Sequence, residues 1–471
     1  MNMKVIAESY GMKRRLPTGL LLLQASVVLL VVLLAAYSVA RGQGLAAPGA
    51  GAKRAAATPA ESVAFDQARF DRLRAEGFES LYGLDYDAAA AKFKEMARAF
   101  PDHPAGWQFQ AASLWLKTLN GSRRLQSNLY NDDQFYEGEE DKTDPKIVAE
   151  FKELTRNAKL LAEARLRKNK KDVEALYYLG ATQGLRAAFA GAVERRFMGA
   201  LRDGKDAVDL HEHAVRLDPA FHDARLSIGM YDYIVGDLPR PVKLLVDVFG
   251  RGGSKKRGLA TLEQVAREGR WAQDDARVML IPLYKRERRF ADAASAARAL
   301  AAKYPTNHLF KLETADALVS QAAELRATNP AEAERIERES FAVFESLLKE
   351  RGTPAARQAD QIHFQYAEAL SNAGRDEPAA REYLASAGAA DADAGLATMA
   401  RLRAAQSYDL AGRRAEAVAQ YKAVLARPDV YKSHEAAGRG LKAPFRKSDR
   451  RRAAEREAGE QKGTDKTSNE Q

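Results

Sequence analysis

"RRFADAASAARALAAKYPTN", residues 288–307, decides the fold. Alanine has the highest helix propensity of any residue but buries almost nothing. A helix with Ala293 and Ala297 at its centre, closed by Tyr304 and Pro305, gains little from an ordinary core. It is held in place only if a second helix approaches very closely at those two alanines. That requirement predicts the same pattern of small residues elsewhere in the chain.

The pattern recurs. A small residue, a large residue one helical turn later and a proline two turns beyond appear again and again. Ala89, Phe93 and Pro101 follow Gly77, and Trp107 opens the next unit. Leu176, Leu179 and Gly180 are followed by Ala207, Ala214 and Pro219, then by Gly229. Tyr284 precedes Ala293, Leu300 and Pro305. Ala367 is followed by Ala379 and Tyr383, and Ala405 with Tyr408 by Ala417 and Tyr421.

Helix-turn-helix units with this layout resemble the tetratricopeptide repeat (TPR). The expected fold is all-α: a TPR-like α-solenoid of about eight helical hairpins over residues 61–430. Some helices are extended, because Gly180 and Pro219 lie further apart than the repeat allows, and 320–340 lengthens another pair. Residues 121–145 and 236–258 read as insertions. A narrower stretch, about 145–320, resembles the family of tetratricopeptide repeat protein 39 and the mitochondrial outer-membrane inclusion-body clearance protein. That family brings no catalytic residues to carry over.

The chain has 471 residues and no cysteine. Disulfides, thiolate zinc sites, a cysteine nucleophile and a lipid-modified cysteine anchor are therefore excluded. Its net charge of +10 is carried by the ends: +6 in residues 1–60 and +4 in 431–471, which leaves 61–430 neutral. A nucleic-acid-binding body would be expected to carry a basic surplus of its own, so no nucleic-acid partner is expected.

Lys13-Arg14-Arg15 precede "LLLLQASVVLLVVLLAAYSVA", residues 20–40, a run without a charge. As a helix it spans about 30 Å, the thickness of a hydrocarbon layer. Residues 1–19 form a basic segment that orients the N-terminus to the cytoplasm. Two readings fit 20–40: its length suits an uncleaved transmembrane anchor, and Ser38-Val39-Ala40 suit a cleaved signal. Either way everything beyond it is exported. Residues 41–60 read as a flexible linker, and 431–471 as a basic, largely disordered tail.

Three motifs invite chemistry and fail on spacing. His211 and His213 are two residues apart, on opposite sides of a helix, where a zinc pair needs four. His211 takes an aromatic packing position instead. "FGRGGSKKRG", residues 249–258, lacks the strand and the hydroxyl of a phosphate loop. The acidic stretch 131–144 lacks the ligand order of a calcium loop. No catalytic, cofactor-binding or metal-binding residues are expected.

The resemblance implies a concave groove lined by the second, fifth, ninth, twelfth and thirteenth positions of each unit. In register these give Trp115 in the second unit, Tyr177 in the third, and Leu226, Met230 and Tyr233 in the fourth. Lys285 and Arg286 turn the fifth basic. The apolar front half suits an amphipathic helix or hydrophobic peptide; the alternative is that the extended helices fill it themselves. The expected function is a non-enzymatic scaffold or adaptor. It would bind a protein or peptide partner in the bacterial cell envelope, with membrane contact through 20–40 where uncleaved. A lipid-like ligand is the alternative, and an envelope hydrolase the third reading.

Overall fold

The computed structural model describes residues 65–121, 143–194, 196–237, 252–350, 355–390 and 392–449. Segment 20–40 and most of both insertions lie outside them. Among the described residues no strand occurs, and no helix is long and apolar enough to cross a membrane.

The helices follow one another as hairpins. The first four pairs are α1 (Gln67–Tyr82) with α2 (Tyr86–Ala99), α3 (Ala105–Gly121) with α4 (Pro145–Lys168), α5 (Val173–Ala192) with α6 (Phe197–Leu217), and α7 (Arg225–Asp237) with α8 (Lys255–Glu268). The next four are α9 (Gln273–Arg286) with α10 (Phe290–Lys303), α11 (His308–Leu325) with α12 (Pro330–Lys349), α13 (Ala359–Asn372) with α14 (Asp376–Gly388), and α15 (Ala394–Leu410) with α16 (Arg414–Leu425). A final helix, α17 (Ser433–Lys442), follows. The described residues form two compact bodies, 65–276 and 277–449. The hairpin array expected from the repeats is therefore present, and α4, α5, α6 and α12 are its extended members, at 20–24 residues.

Helix starts are set locally. The carboxylates of Asp85 and Asp172 accept from the backbone N–H of Ala88 and Ala175, and Asn307 caps α11 through Leu309 N–H. The turn inside four hairpins shares one device. Two residues before the second helix the backbone is left-handed: Leu84 (φ 68°), Arg288 (φ 56°), Gly374 (φ 73°) and Gly412 (φ 77°). Glycine adopts that region without penalty; leucine and arginine do not.

Packing between paired helices depends on the small residues. Ala293 and Ala297 are fully buried. A methyl group on Gly77 would fall inside the Phe93 ring, and one on Gly180 inside the imidazole of His211. His211 thus holds the aromatic packing position its sequence context gives it.

The far boundary requires a correction. Residues 431–442 are part of the array rather than of a tail. Gly440 lies against the Tyr421 ring, and Arg414 donates to the carbonyls of Gly440 (2.7 Å) and Leu441 (3.0 Å). Asp409 accepts from Phe445 N–H at 2.8 Å. The basic composition of this stretch hid a short helix whose buried side, Ala437 and Gly440, is made of small residues.

Candidate functional site

In the first body the groove-facing side of α1 meets the segment that leads into α9. Counted from Gly77 as the third unit is counted from Gly180, the groove positions of the first unit include Asp71, Arg74, Phe78 and Tyr82. Arg74 donates to the Trp271 carbonyl at 3.0 Å, and Arg270 pairs with Asp71 at 3.2 Å. The Tyr82 hydroxyl donates to Asp275. These partners stand nearly 200 residues apart in sequence.

Trp271 occupies the space so closed. Its ring lies 5.7 Å from Tyr177, 6.1 Å from Tyr178 and 5.6 Å edge-on from Phe221. The Arg74 guanidinium sits over Phe78 at 4.8 Å and over Trp271 at 5.5 Å, so a half-buried cation is met by aromatic faces. The segment itself is fixed by one carboxylate. Asp223, buried in the turn before α7, accepts from the backbone N–H groups of Arg270 (3.1 Å), Trp271 (2.6 Å) and Ala272 (2.7 Å). These amides precede α9 and gain partners that its own turn does not supply.

Burial sets the electrostatics of this interior. It raises the Asp275 carboxyl above its ordinary range, against the opposing hydrogen bond from Tyr82. It also raises the Tyr177 hydroxyl, helped by the charge of Asp223. His211 is pushed down to about 4 by burial, partly offset by its bond to the Tyr177 carbonyl. Each shift follows from the cost of a charge away from water.

The groove residues read from sequence divide accordingly. Tyr177 is half-buried, its ring stacked on His211 and edge-on to Phe221. Leu226 packs with Val265, Ala272 and Ala276. Met230 and Tyr233 are core residues, 2% and 0% exposed, and present no surface to a partner. The close approach of α8 explains this: a methyl group on Gly258 would overlap the Tyr233 backbone. Trp115 is half-buried against the cluster of Phe151, Leu154, Leu185 and Phe189.

In the second body Lys285 is held by Glu313 (2.9 Å) and Asp316 (2.6 Å), and Arg286 is exposed. The two carboxylates outweigh the effect of burial and raise the Lys285 ammonium above its ordinary value. The apolar front half of the groove is therefore filled by the chain itself. Its fillers are Trp271 and the lead into α9 at Tyr177, α8 at Tyr233, and the extended helices α4 and α5 at Trp115. Sequence reading missed Asp71, Arg74, Asp223 and Trp271. Counting back from Gly77 would have found the first two; nothing local marks the others.

No protein-family model matches the chain, and no curated protein matches it. Solved structures similar to it include the human IFIT1 dimer with m7Gppp-AAAA, at a TM-score of 0.36 and 12% identity. That match covers 81% of this chain and 86% of the other. Yeast Tom70 is similar at a TM-score of 0.30 and 13% identity, over 81% and 89%. Scores this low carry no information about ligand or partner.

Proposed function

We propose that the protein is a non-enzymatic scaffold that holds a protein or peptide partner in the bacterial cell envelope, exported or tethered through residues 20–40. One observation carries this reading. The converging titratable groups of the interior are committed to holding the array together. Asp223 is taken up by three backbone N–H groups and Asp275 by Tyr82. Asp409 is taken up by Arg414, Tyr421 and Phe445. A repeat array built this way presents helix faces to a partner rather than a reacting pocket. With the apolar groove filled, the partner meets polar and charged faces such as that of Arg286.

An acyl chain is less suited. The cavity bounded by Leu347, Ala355 and Ile362 holds about 80 Å³, the volume of a few waters, and a larger one of about 290 Å³ between α4, α5 and α6 is walled by charged side chains.

Two experiments test the proposal. The chain has no cysteine, so Arg286→Cys introduces a single reporter thiol at an exposed site. A membrane-impermeant maleimide should label it once the outer membrane is permeabilised; labelling only after lysis of the inner membrane would refute export. Cross-linked capture from membranes should recover partners with the full chain that are lost when residues 61–445 are removed. Recovery of the same set without them would refute the scaffold.

A further inference from the structure

A second, larger cavity lies in the first body, on the aromatic cluster against which Trp115 also packs. Helix α4, the C-terminal end of α5 and the start of α6 enclose about 290 Å³. Its floor is the stacked pair Phe151 and Phe189, both buried, with ring centroids 3.8 Å apart. Its walls are charged. Lys152 and Arg156 come from α4, Arg186 from α5, and Arg196 and Arg202 from the start of α6, against the two carboxylates of Glu194 and Asp203.

The two carboxylates do not neutralise the five cations. Glu194 is shared by Lys152 (2.7 Å) and Arg196 (3.3 Å), and Asp203 meets Arg186 at 3.5 Å. Arg156 and Arg202 have no carboxylate at ion-pair distance among the described residues, and Asp206, one turn on from Arg202, feels its charge without lining the cavity. The start of α6 adds to the imbalance. Arg196 stands at its cap position and gives the first turn no side-chain hydrogen bond. A methyl group on Gly199 would meet only the Arg196 guanidinium, at 3.6 Å, so the first turn opens onto the cavity.

We propose that this cavity binds a phosphate-bearing anion, a phosphomonoester or diphosphate group. The surplus of three positive charges exceeds what a single carboxylate would balance. Arginine forks match the several oxygens of a phosphate. Gly199 of the first α6 turn lines the cavity, where the helix start adds a partial positive charge. The volume is at the small end for ligand sites, which suits a head group rather than a large molecule. Such a group comes either from a soluble phosphate compound or from an anionic phospholipid.

The test uses the full chain, Arg156→Glu with Arg202→Glu, and a charge-matched control, Arg381→Glu with Arg439→Glu. All four positions are exposed, so folding should survive. Titration calorimetry with pyrophosphate, and flotation with phosphatidylglycerol or phosphatidylcholine vesicles, read binding. The cavity variant should weaken pyrophosphate binding at least tenfold, or abolish the preference for phosphatidylglycerol, with the control unchanged. Pyrophosphate binding alone identifies a soluble ligand; a vesicle preference lost only in the cavity variant identifies a lipid head group. No binding in either arm, or equal losses in the cavity variant and the control, overturns the proposal.

Discussion

Gly180 and His211 show how much a single contact carries. The imidazole occupies the space a methyl group would need, and both its nitrogens are engaged. Nε2–H donates to the Tyr177 carbonyl at 2.9 Å, and Nδ1 accepts from the Ser227 hydroxyl at 2.6 Å. Only the second bond, with Nδ1 as acceptor, requires the neutral ring; the first is made by either form and offsets part of the effect of burial. Because burial lowers the folded pKa to about 4, the unfolded chain takes up a proton first as the pH falls. The contribution of His211 should therefore be complete above about pH 6.5 and be lost progressively between there and pH 4. Urea denaturation across that window should show wild type losing up to about 3 kcal/mol more than His211→Phe. Parallel pH profiles for the two proteins would contradict the assignment. The sequence made this residue legible as a packing histidine, because it follows Ala207 by one helical turn as Phe93 follows Ala89.

At the level of the helices, the hairpin turns carry a testable asymmetry. Four turns place a residue in the left-handed region at the same point, and only Gly374 and Gly412 are glycine. A side chain there costs about 1 kcal/mol. Arg288 makes an ion pair with Glu324, but at a largely exposed position where such pairs contribute little. Arg288→Gly should accordingly raise stability by about 1 kcal/mol, and Gly412→Ala lower it by about as much, measured by thermal or urea unfolding. A loss of stability in Arg288→Gly would show that the ion pair outweighs backbone strain. Helix α17 shows where the sequence signal weakens. Its ten residues are rich in alanine, glycine and charge, so composition suggested a tail. Only contact with Tyr421 and Arg414 shows that it covers the last hairpin.

For the molecule as a whole, the first body is defined by the closure of α1 onto the lead into α9. Trp271 is the residue most exposed to test there. Trp271→Ala removes a ring packed among Tyr177, Tyr178, Phe221 and Arg74, and should destabilise by about 3 kcal/mol. Hydrogen exchange should then quicken in α1, whose groove side loses its partner, before it quickens in the α5–α6 pair. Unchanged exchange in α1 would mean that the closure contributes nothing to holding that helix.

The helices, their pairing and the small residues that let them approach were all legible in the chain. Those features rest on contacts within a turn or between adjacent helices, and their spacing is written in the chain. Tertiary structure alone decided that the groove is filled, that Met230 and Tyr233 are core, and that five cations gather at one cavity. The closure of Arg74 onto Trp271 depends on small rotations summed over several hairpins, and the burial of Tyr233 and the gathering of the cations on how closely neighbouring helices approach. No local pattern of residues holds that sum.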